Sequence, residues 1–367
     1  MSINGLGVVS RKANEPALLE EIIIDPPGPG EVLVSMQASG VCHTDLHYKQ
    51  VKISDDFPFL LGHEGAGVVE EVGEGVTSPT KGDYVVLAWR APCGSCRFCS
   101  IGQPQLCAAS LNAQPRMKTK KDGLALNPAL GIGTFCTHTV VAAKQAIPVP
   151  RECPPEQACL IGCGIMTGVG AVLYTAGVRR GSTVAVYGCG GVGCSVIMGA
   201  KLARARRIIA VDIAENKLTW ARQFGATDVI DASKEDPVAK IKEMTGGNGV
   251  DYAFEAVGTP QTLSQALWSR DLAGTCTLIG VPDPTMKLEL PMLDFFGLGG
   301  NLRVSWYGDC LPSRDFPLLA DWYLRGELDL DRVVTRVIGL DETEPAFEAM
   351  ERGETLRSVI KFEGAKE

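Results

Sequence analysis

Four cysteines stand within fifteen residues of the sequence, in the segment CGSCRFCSIGQPQLC. They are Cys93, Cys96, Cys99 and Cys107. Four thiolates this close along the chain suit a structural zinc ion, which four protein ligands surround as a tetrahedron. An iron–sulfur cluster is the alternative, because its bacterial binding motif also begins with two short gaps. That motif continues with three residues and Cys-Pro, whereas seven residues separate Cys99 from Cys107 and an alanine follows, so zinc is favoured.

A zinc site closed by four protein ligands has no position for a substrate, so the chemistry must occur elsewhere. Three segments offer further ligands: GVCHTDLH, LGHEGAG and GCG. A catalytic zinc takes three protein ligands and keeps a fourth position open, and two cysteines with one histidine form a known set. Cys42, His63 and Cys163 are therefore candidate ligands, although each alone is equally compatible with a buried core residue.

The sequence has thirteen cysteines, an odd number, and lacks an export signal. A reducing compartment is therefore expected, and a disulfide framework is a poor explanation for the cysteines. We expect those outside the two metal groups to be buried small side chains. They are Cys136, Cys153, Cys159, Cys189, Cys194, Cys276 and Cys310.

The segment GCGGVG at 188–193 matches the dinucleotide-binding pattern G-x-G-x-x-G. Alone the pattern is weak, but a strand-like run precedes it, a helix-like run opens with it, and a second strand-like run ends at Asp212, nineteen residues after Gly193. Gly188 permits a tight turn, Gly190 allows the backbone to approach a pyrophosphate, and Gly193 allows close packing of helix on strand. The candidate binding set is Gly188, Gly190, Gly191, Gly193 and Asp212.

The choice between NAD and NADP depends on the residue that faces the adenosine ribose. A carboxylate at Asp212 would accept hydrogen bonds from ribose hydroxyls and repel a 2′-phosphate. No arginine follows in IAENKL, so the sequence favours NAD. The alternative is a glycine-rich turn in a Rossmann-type domain that binds no dinucleotide.

The elements around these residues change character along the chain. Residues 1–165 consist of short strand-like runs broken by glycine and proline, which predicts a strand-rich domain with a rolled or barrel-like sheet. From 166 to 306 strand-like and helix-like runs alternate, as in a doubly wound parallel sheet. Residues 307–367 leave that alternation, with two helix-like runs and the closing strand RSVIKF. A length of 367 residues also favours two domains.

Composition excludes several classes of protein. With 45% hydrophobic and 21% charged residues the chain is globular, and a net charge of -8 argues against nucleic acid as a partner. Two basic clusters, at 118–121 and 204–207, are read as solvated faces. No apolar run is expected to reach the roughly 18 residues that span a bilayer, and the first residues lack the apolar segment of a signal peptide. The expected location is the cytoplasm, without a membrane partner.

The sequence resembles the zinc-dependent medium-chain alcohol dehydrogenase family over essentially its whole length. The resemblance rests on GVCHTDLH, GHEGAGVVEEVG, the four-cysteine loop, the Cys163 segment, GCGGVG and Asp212. It implies a GroES-like catalytic domain formed by 1–165 and 307–367, with a structural zinc lobe at about 90–110, and a Rossmann domain at 166–306. It also implies NAD, one catalytic and one structural zinc ion per subunit, and a homo-oligomer. The segment LIGVPDPTMKLELP at 278–291 is the predicted edge of such an assembly.

The resemblance also assigns roles to single residues. The implied catalytic zinc ligands are Cys42, His63 and Cys163, with Glu64 as a carboxylate that approaches the metal when coordination changes. Thr44 resembles the hydroxyl residue that holds the substrate alcohol, and His47 resembles the distal proton acceptor. The positions that line the cofactor site in relatives are His43, Thr167, Val192, Lys217 and Arg357.

A narrower resemblance links the chain to the mycothiol-dependent formaldehyde dehydrogenases of this family, through segments such as LAWRAPCGSCRFC, LNPALGIGTF and SWYGDCLPSRDFP. It implies hydride transfer from S-(hydroxymethyl)mycothiol to NAD, which yields S-formylmycothiol and removes formaldehyde. Two alternatives stay open. One is the oxidation of free primary or aromatic alcohols. The other is a catalytically silent NAD-binding structural or regulatory protein, which would be expected to have lost zinc ligands or the proton relay.

Overall fold

The computed structural model describes residues 1–362 and divides into two compact units. The first unit comprises Met1–Cys163 together with the described chain from Leu311 onward, and the second comprises Gly164–Cys310. The domain limits drawn from the sequence, 1–165 with 307–367 and 166–306, stay a prediction.

Two β-sheets dominate the first unit. Their strands are β1 Ile3–Ser10, β2 Leu18–Ile24, β3 Glu31–Gly40, β4 Phe59–Leu60, β5 Glu64–Val72, β6 Tyr84–Leu87, β7 Met117–Thr119, β8 Asn127–Pro128, β9 His138–Ala142, β10 Ala146–Pro148, β17 Val334–Ile338 and β18 Arg357–Lys361. One sheet has the order β7-β2-β1-β4-β8, and the other has the order β10-β6-β5-β3-β18-β17, with β9 also paired to β3. Most of these pairs are antiparallel, as the glycine- and proline-broken strand runs predict.

The helices of the first unit are short apart from one. They are α1 His43–Lys49, α2 Arg97–Ser100, α3 Pro155–Leu160, α10 Pro312–Leu324 and α11 Thr343–Glu351, with 3₁₀ turns at Pro104–Leu106, Ala129–Gly131, Ala143–Gln145 and Leu340–Glu342. The two helix-like runs expected after residue 307 correspond to α10 and α11, and RSVIKF contains β18. Strand β3 lies at the centre of its sheet, and Val32, Val34 and Met36 are buried in the core. The residues at its end are therefore held rigidly.

The second unit is a six-stranded sheet with every pair parallel. Its strands are β11 Thr183–Tyr187, β12 Arg207–Asp212, β13 Asp228–Asp231, β14 Val250–Glu255, β15 Arg270–Leu278 and β16 Asn301–Val304. Its helices are α4 Met166–Gly170, α5 Gly191–Leu202, α6 Glu215–Phe224, α7 Pro237–Met244, α8 Pro260–Trp268 and α9 Met292–Leu298, with further π-helical turns at Ala171–Ala176 and a 3₁₀ turn at Tyr307–Asp309. The order β13-β12-β11-β14-β15-β16 is that of a doubly wound dinucleotide-binding sheet. The alternation expected from the sequence is confirmed.

The segment 278–291, predicted as the edge of an assembly, does not supply the edge strand of the sheet. Strand β15 ends at Leu278 and the edge strand is β16, further along the chain, so a role of 278–291 in a subunit contact stays a prediction. Prolines at 282, 284 and 291 have no N–H to donate to a strand neighbour. Met286, Leu288 and Leu290 instead pack against the buried core of the sheet.

One helical run is longer and more apolar than the sequence reading expected. Pro155–Ala176 spans 22 residues with a mean hydropathy of 1.7 in its most apolar window, which is enough in length and composition to cross a bilayer. Glycines separate the large apolar side chains of this run, so the sequence does not show one continuous apolar segment. Of that window 78% is buried inside the protein, as in the core helix of a globular protein. The run is therefore weak evidence for a membrane span.

Candidate metal centres and dinucleotide site

The first unit brings together the four residues predicted for the catalytic metal. One ligand atom from each of Cys42, His63, Glu64 and Cys163 lies within 4.8 Å of all the others. His63 and Glu64 are fully buried, and Cys42 is 7% exposed. Residues more than a hundred positions apart thus converge on one point, which the sequence spacing alone did not establish.

Sheet pairing explains how Cys42 and His63 meet. Cys42 follows the end of β3, His63 directly precedes β5, and the two strands are antiparallel with Gly40 opposite Glu64. The end of one strand and the start of the other therefore lie side by side. A side chain on Gly40 would meet the Glu64 carboxylate at 2.2 Å, so glycine leaves room for it.

Cys163 reaches the group from a π-helical segment, Ile161–Ile165. Single π-turns are frequent at functional sites because they re-aim a side chain within a helix. Gly162 lies directly against the end of β6, where a side chain would meet the Leu87 carbonyl oxygen at 2.7 Å. The close approach of Gly162 to β6 therefore fixes the position of Cys163.

Asp45, which is not among the residues predicted from the sequence, orients His63. Its Oδ1 lies 2.9 Å from His63 Nδ1 and accepts a hydrogen bond from the Gly62 N–H, while its Oδ2 accepts from the Cys42 N–H. Asp45 is fully buried. A carboxylate that holds Nδ1–H fixes the tautomer in which Nε2 carries the free lone pair, as metal-binding histidines require. The signal was the aspartate in GVCHTDLH, in the first turn of α1.

Several buried polar atoms of this group lack a hydrogen bond, as the ligands of a metal ion would. Among the described residues His63 Nε2 has no hydrogen-bond partner, and neither carboxylate oxygen of Glu64 accepts a hydrogen bond, although Oε1 lies 3.5 Å from Arg357 Nη2. A buried polar atom without a partner costs free energy, so such atoms need an explanation. A zinc ion bound by two sulfurs and one imidazole nitrogen, with the carboxylate beside it, supplies one.

The electrostatics of this group favour an ionised sulfur. A hydrogen bond from Cys163 lowers the pKa of Cys42 well below its usual range against the opposing effect of burial, and the charges of Arg357 and His63 add to the lowering. Burial raises the pKa of Glu64 to about 7, against the opposing charge of Arg357, whose Nη2 lies 3.5 Å from Glu64 Oε1. The thiolate is the form of cysteine that binds metal.

Thr44 and His47 occupy neighbouring positions on α1. They are three residues apart and both half-buried, so they share a face of the helix. Burial lowers the pKa of His47, and the charge of Lys52 lowers it further, whereas the Cys42 charge opposes both effects. A lowered pKa keeps the imidazole neutral and able to accept a proton at neutral pH.

The four-cysteine segment forms a second group, also in the first unit. One sulfur from each of Cys93, Cys96, Cys99 and Cys107 lies within 4.8 Å of the other three. Cys96 and Cys107 Sγ are 3.9 Å apart. Two sulfurs bonded at about 2.3 Å to one tetrahedral zinc ion would lie about 3.8 Å apart. The geometry therefore favours a single ion over an iron–sulfur cluster.

Backbone donors stabilise the thiolates of this lobe. The Ser95 and Cys96 N–H groups point at Cys93 Sγ and lower the pKa of Cys93 to about 6. Arg90, which the sequence analysis did not single out, donates through its guanidinium to the Cys107 carbonyl oxygen. With four protein ligands the set is complete, so this lobe has the composition of a structural site.

In the second unit the glycine-rich turn follows β11 and opens α5. A Cβ on Gly193 would lie 1.8 Å from the Gly188 carbonyl oxygen, so no other residue fits there. Gly190 differs, because its backbone is in an ordinary extended conformation and a Cβ there would meet no atom of residues 1–362 within 4 Å. The described part of the chain thus gives no reason for a glycine at that position, whereas a pyrophosphate approaching the backbone would.

Asp212 lies at the end of β12 beside this turn, and it is 9% exposed. Its Oδ2 accepts a hydrogen bond from the Cys189 N–H at 2.8 Å, and its Oδ1 accepts from the Ile213 and Ala214 N–H groups. The carboxylate thus fixes the turn, and Oδ2 keeps a lone pair for a ribose hydroxyl.

The other predicted cofactor residues fall in both units. Gly168 packs on the first turn of α5, where a side chain would meet the Val192 carbonyl oxygen at 2.6 Å, so Thr167 lies next to that turn. Lys217 lies in α6, close enough for its charge to affect Cys189. His43 and Arg357 belong to the first unit, with the metal group. Their contact with a cofactor stays a prediction.

The seven remaining cysteines are buried, as expected. All thirteen cysteines lie within residues 1–362, and none of them forms a disulfide there. The exposed fraction is at most 3% for Cys136, Cys153, Cys159, Cys189, Cys194, Cys276 and Cys310.

Comparison with known proteins agrees with this geometry. A family profile described as the alcohol dehydrogenase GroES-like domain matches residues 28–151, and one described as zinc-binding dehydrogenase matches residues 191–325. The S-(hydroxymethyl)glutathione dehydrogenase of Escherichia coli O1:K1 / APEC is 37% identical over 361 residues, which cover 95% of this chain and 97% of that protein. The chain belongs to the zinc-dependent medium-chain alcohol dehydrogenase family. It is thus an enzyme, a zinc-dependent dehydrogenase that acts on a small molecule, and the silent-protein alternative loses its support.

Solved structures show the fold of this dehydrogenase. An alcohol dehydrogenase zinc-binding domain protein from Burkholderia ambifaria aligns with a TM-score of 0.93 and 35% identity, over 99% of this chain and 100% of that one. Benzyl alcohol dehydrogenase from Acinetobacter calcoaceticus aligns with a TM-score of 0.91 and 32% identity, over 98% and 99%. The predicted α/β fold, with a GroES-like part and a Rossmann-type parallel sheet, is confirmed.

Proposed function

We propose that the enzyme oxidises the hydroxyl group of a thiol–formaldehyde adduct, S-(hydroxymethyl)mycothiol, with NAD as hydride acceptor. The carbon that carries the hydroxyl loses a hydride to NAD and the hydroxyl loses a proton, so the products are S-formylmycothiol, NADH and a proton. The observation that carries the proposal is the convergence of Cys42, His63 and Cys163, with His63 Nε2 buried and without a hydrogen-bond partner among residues 1–362.

The residues of the first unit have distinct roles in this reaction. When bound, zinc lowers the pKa of the substrate hydroxyl, and NAD accepts the hydride from the adjacent carbon. Cys42, His63 and Cys163 hold the metal, and Asp45 keeps His63 in the binding tautomer. The Thr44 hydroxyl takes up the substrate proton as it releases its own, and His47, whose lowered pKa keeps it neutral, is the final acceptor of the released proton.

The residues of the second unit bind the dinucleotide. The open space at Gly190 and the N–H groups that begin α5 suit a pyrophosphate, and the remaining lone pair of Asp212 suits a ribose hydroxyl. A carboxylate at that position disfavours a 2′-phosphate, which supports NAD over NADP. Thr167, Val192, Lys217, His43 and Arg357 are further proposed cofactor residues, as in the family.

The identity of the thiol is the most specific statement in the proposal. The Escherichia coli relative is named for the glutathione adduct, which supports a thiol–formaldehyde adduct as the substrate class. Mycothiol is proposed from the narrower resemblance in LAWRAPCGSCRFC and SWYGDCLPSRDFP. Both adducts present the same hydroxymethyl thioether to the metal, so only groups remote from the reacting carbon distinguish them.

The test is NADH formation by the purified enzyme from NAD and formaldehyde, with mycothiol, with glutathione and without thiol. Strict dependence on mycothiol supports the proposal, and activity with glutathione alone would replace mycothiol in it. Thiol-independent oxidation of benzyl alcohol would instead support the second candidate, a dehydrogenase of free primary or aromatic alcohols. The structural likeness to a benzyl alcohol dehydrogenase, with a TM-score of 0.91, favours that candidate.

We also propose a homo-oligomer formed through the second unit. Edge strand β16 is exposed along its length, and Val304 is 67% exposed. In α9, Leu293 and Phe296 are 82% and 83% exposed. An uncovered edge strand beside large exposed apolar side chains is typical of a subunit contact. Sedimentation of the wild type and of Phe296→Glu tests this, with Leu19→Glu on the first unit as control. A monomeric wild type would contradict the proposal.

A cytoplasmic location completes the proposal. Thirteen cysteines without a disulfide among residues 1–362, six of them in the two metal groups, are typical of a protein from a reducing compartment. Fractionation of cells that express the tagged protein is the test, and recovery of the enzyme from an oxidising compartment would contradict it.

A further inference from the structure

Four exposed arginines lie in the second unit at the amino-terminal edge of the parallel sheet, the edge opposite the glycine-rich turn. Arg179 and Arg180 precede β11, and Arg204 and Arg206 precede β12. These two strands are parallel neighbours, so the loops that precede them lie side by side. We call the four residues the amino-edge arginines.

Backbone hydrogen bonds join the two loops. The Gly181 N–H donates to the Arg204 carbonyl oxygen at 2.9 Å, and the Arg206 N–H donates to the Ser182 carbonyl oxygen at 2.8 Å. Within the first loop the Ser182 N–H donates to the Arg179 carbonyl oxygen at 3.2 Å. The four arginines therefore belong to one hydrogen-bonded pair of loops and are held close together.

The positive charge of this cluster is not compensated. Among residues 1–362 none of the four guanidinium groups has a hydrogen-bond or ion-pair partner. The carboxylates at the starts of the flanking strands are already engaged. Asp251 Oδ2 accepts from the Thr183 N–H and hydroxyl at 2.7 and 2.8 Å, and Asp228 Oδ2 lies 3.1 Å from Arg207 Nε. Four guanidinium groups without a counter-charge repel one another, and a bound anion would relieve that repulsion.

The other basic cluster of the chain, at 118–121, is different. Lys118 Nζ lies 3.5 Å from Asp25 Oδ2, and Lys120 Nζ lies 3.1 Å from Glu21 Oε1. These lysines have carboxylate partners on a neighbouring strand. The interpretation as a solvated face, made for both clusters from the sequence, therefore suits 118–121 and leaves the amino-edge arginines unexplained.

The backbone of Arg204 is strained. Helix α5 ends in a motif in which the Ala205 N–H donates to the Ala200 carbonyl oxygen, and Arg204 there has a left-handed φ of 58°. A side chain is unfavourable in this conformation and glycine is preferred. The helical run before β11 and helix α6 both end with a left-handed glycine, at Gly177 and Gly225. An arginine retained at the strained position points to a role outside folding.

We infer that the amino-edge arginines bind a compact oligophosphate anion, such as a triphosphate. A guanidinium group is always charged and pairs with phosphate oxygens through two parallel hydrogen bonds. Two adjoining loops carry all four side chains, so the site suits a small anion with several charges. A long polyanion such as nucleic acid would be repelled by the rest of a chain with a net charge of -8. The site is separate from the dinucleotide turn and does not rest on the proposed function.

The test is calorimetric titration of the enzyme with inorganic triphosphate at low salt, with NADH present at saturation to fill the dinucleotide site. One triphosphate per chain should bind, at least about tenfold more tightly than orthophosphate, because more charges are paired. The double variant Arg179→Gln, Arg180→Gln should raise the Kd for triphosphate at least about tenfold. The double variant Lys118→Gln, Lys120→Gln, in the other basic cluster, is the matched control and should stay within about twofold of the wild type.

Arg204→Gly separates binding from a structural role. Glycine relieves the left-handed strain, so the thermal midpoint should rise by about 2 °C while the Kd for triphosphate rises about threefold or more. If Arg204 served only to complete the end of α5, the substitution would leave the Kd unchanged, and this result would remove Arg204 from the site and overturn the inference.

Titration with ATP under the same conditions distinguishes a free anion from the triphosphate of a nucleotide. Equal Kd values for ATP and inorganic triphosphate support a site for the phosphates alone, and a lower Kd for ATP supports a nucleotide as the ligand. Failure of the wild type to bind either would overturn the inference, as would equal weakening in the Lys118→Gln, Lys120→Gln control. Binding of single-stranded RNA or of anionic lipid vesicles without binding of triphosphate would also overturn it.

Discussion

The two cysteine-containing metal groups of the first unit are built in opposite ways. The lobe at Cys93–Cys107 takes four sulfurs from one short loop, and three of the four residues are partly exposed. The other group takes its ligands from three separate places in the chain, and its histidine and glutamate are fully buried. All four candidate ligands of the first group are cysteine sulfurs, whereas those of the second group are two sulfurs, one imidazole nitrogen and one carboxylate oxygen.

This difference teaches what each group does for the enzyme. When four thiolates bind a metal ion, the free energy of binding stabilises the folded form of the surrounding loop. A buried, mixed set held by a rigid sheet keeps a position for substrate and depends on surrounding residues for its orientation. Damage to the first group should therefore appear in folding, and damage to the second should appear in turnover.

The largest effect is expected for Cys163→Ala. It removes a ligand of the catalytic group, and a Lewis acid contributes several kcal/mol of transition-state stabilisation, so kcat/KM should fall by about a thousandfold or more. Binding of NADH, measured by fluorescence titration, should be nearly unchanged. Cys159→Ala is the matched control, since Cys159 is a fully buried cysteine outside both metal groups. Turnover retained in Cys163→Ala would refute the zinc assignment.

Cys99→Ala should act on folding first. Loss of one thiolate opens the structural site, and we expect one zinc ion fewer per chain, a lower soluble yield and a thermal midpoint at least about 5 °C lower. The measurements are metal content and thermal unfolding, with Ser100→Ala in the same helix as control. A soluble, fully active Cys99→Ala protein that unfolds like the wild type would show that the lobe has no structural role.

Asp45→Asn should have a smaller effect, confined to the buried group. The substitution keeps the shape of the side chain but removes the charge that holds His63 Nδ1–H, so zinc affinity at this site should fall about 10- to 100-fold. Competition with a chelating dye measures the loss, and the four-cysteine lobe should keep its zinc. Asp315→Asn, a buried carboxylate of the same unit that accepts from the Leu311 N–H, is the control. Equal zinc loss in both variants would contradict the orienting role of Asp45.

The sequence predicted the features that are built from neighbouring residues, such as the four-cysteine lobe. The spacing of Cys93, Cys96, Cys99 and Cys107 indicated one ion because the ligands are local, and GCGGVG between two strands indicated the turn at Gly188 for the same reason. The alternation of strands and helices was likewise visible, because each parallel crossover needs its own helix.

The rest depended on contacts between distant parts of the chain. That Cys42 and His63 meet follows from the β3–β5 register, which no spacing reveals, and it was inferred from family resemblance. Asp45 looks like an ordinary acidic residue until its burial and its hydrogen bonds are known. The segment 278–291, predicted as the edge of an assembly, is not the edge strand of the sheet, because its apolar alternating run at 286–290 packs on the core without pairing as a strand.

The smallest expected effect concerns the proton path of the buried group, which the four-cysteine lobe lacks. Burial and the charge of Lys52 lower the pKa of His47. A base is active only when neutral, so activity falls as the pH drops below its pKa. Lys52→Gln removes one positive charge, so the pKa of His47 should rise and the acid limb of kcat/KM should move to higher pH.

The pH profile of kcat/KM for Lys52→Gln against Lys52→Arg checks this, because arginine keeps the charge and should leave the limb in place. The shift should shrink at high ionic strength, since Lys52 is exposed and its charge is screened by salt. An acid limb that moves to lower pH in Lys52→Gln, or moves equally in both variants, would show that a group other than His47 accepts the proton. The relay would then have to be assigned anew, while the zinc ligands would keep their proposed role.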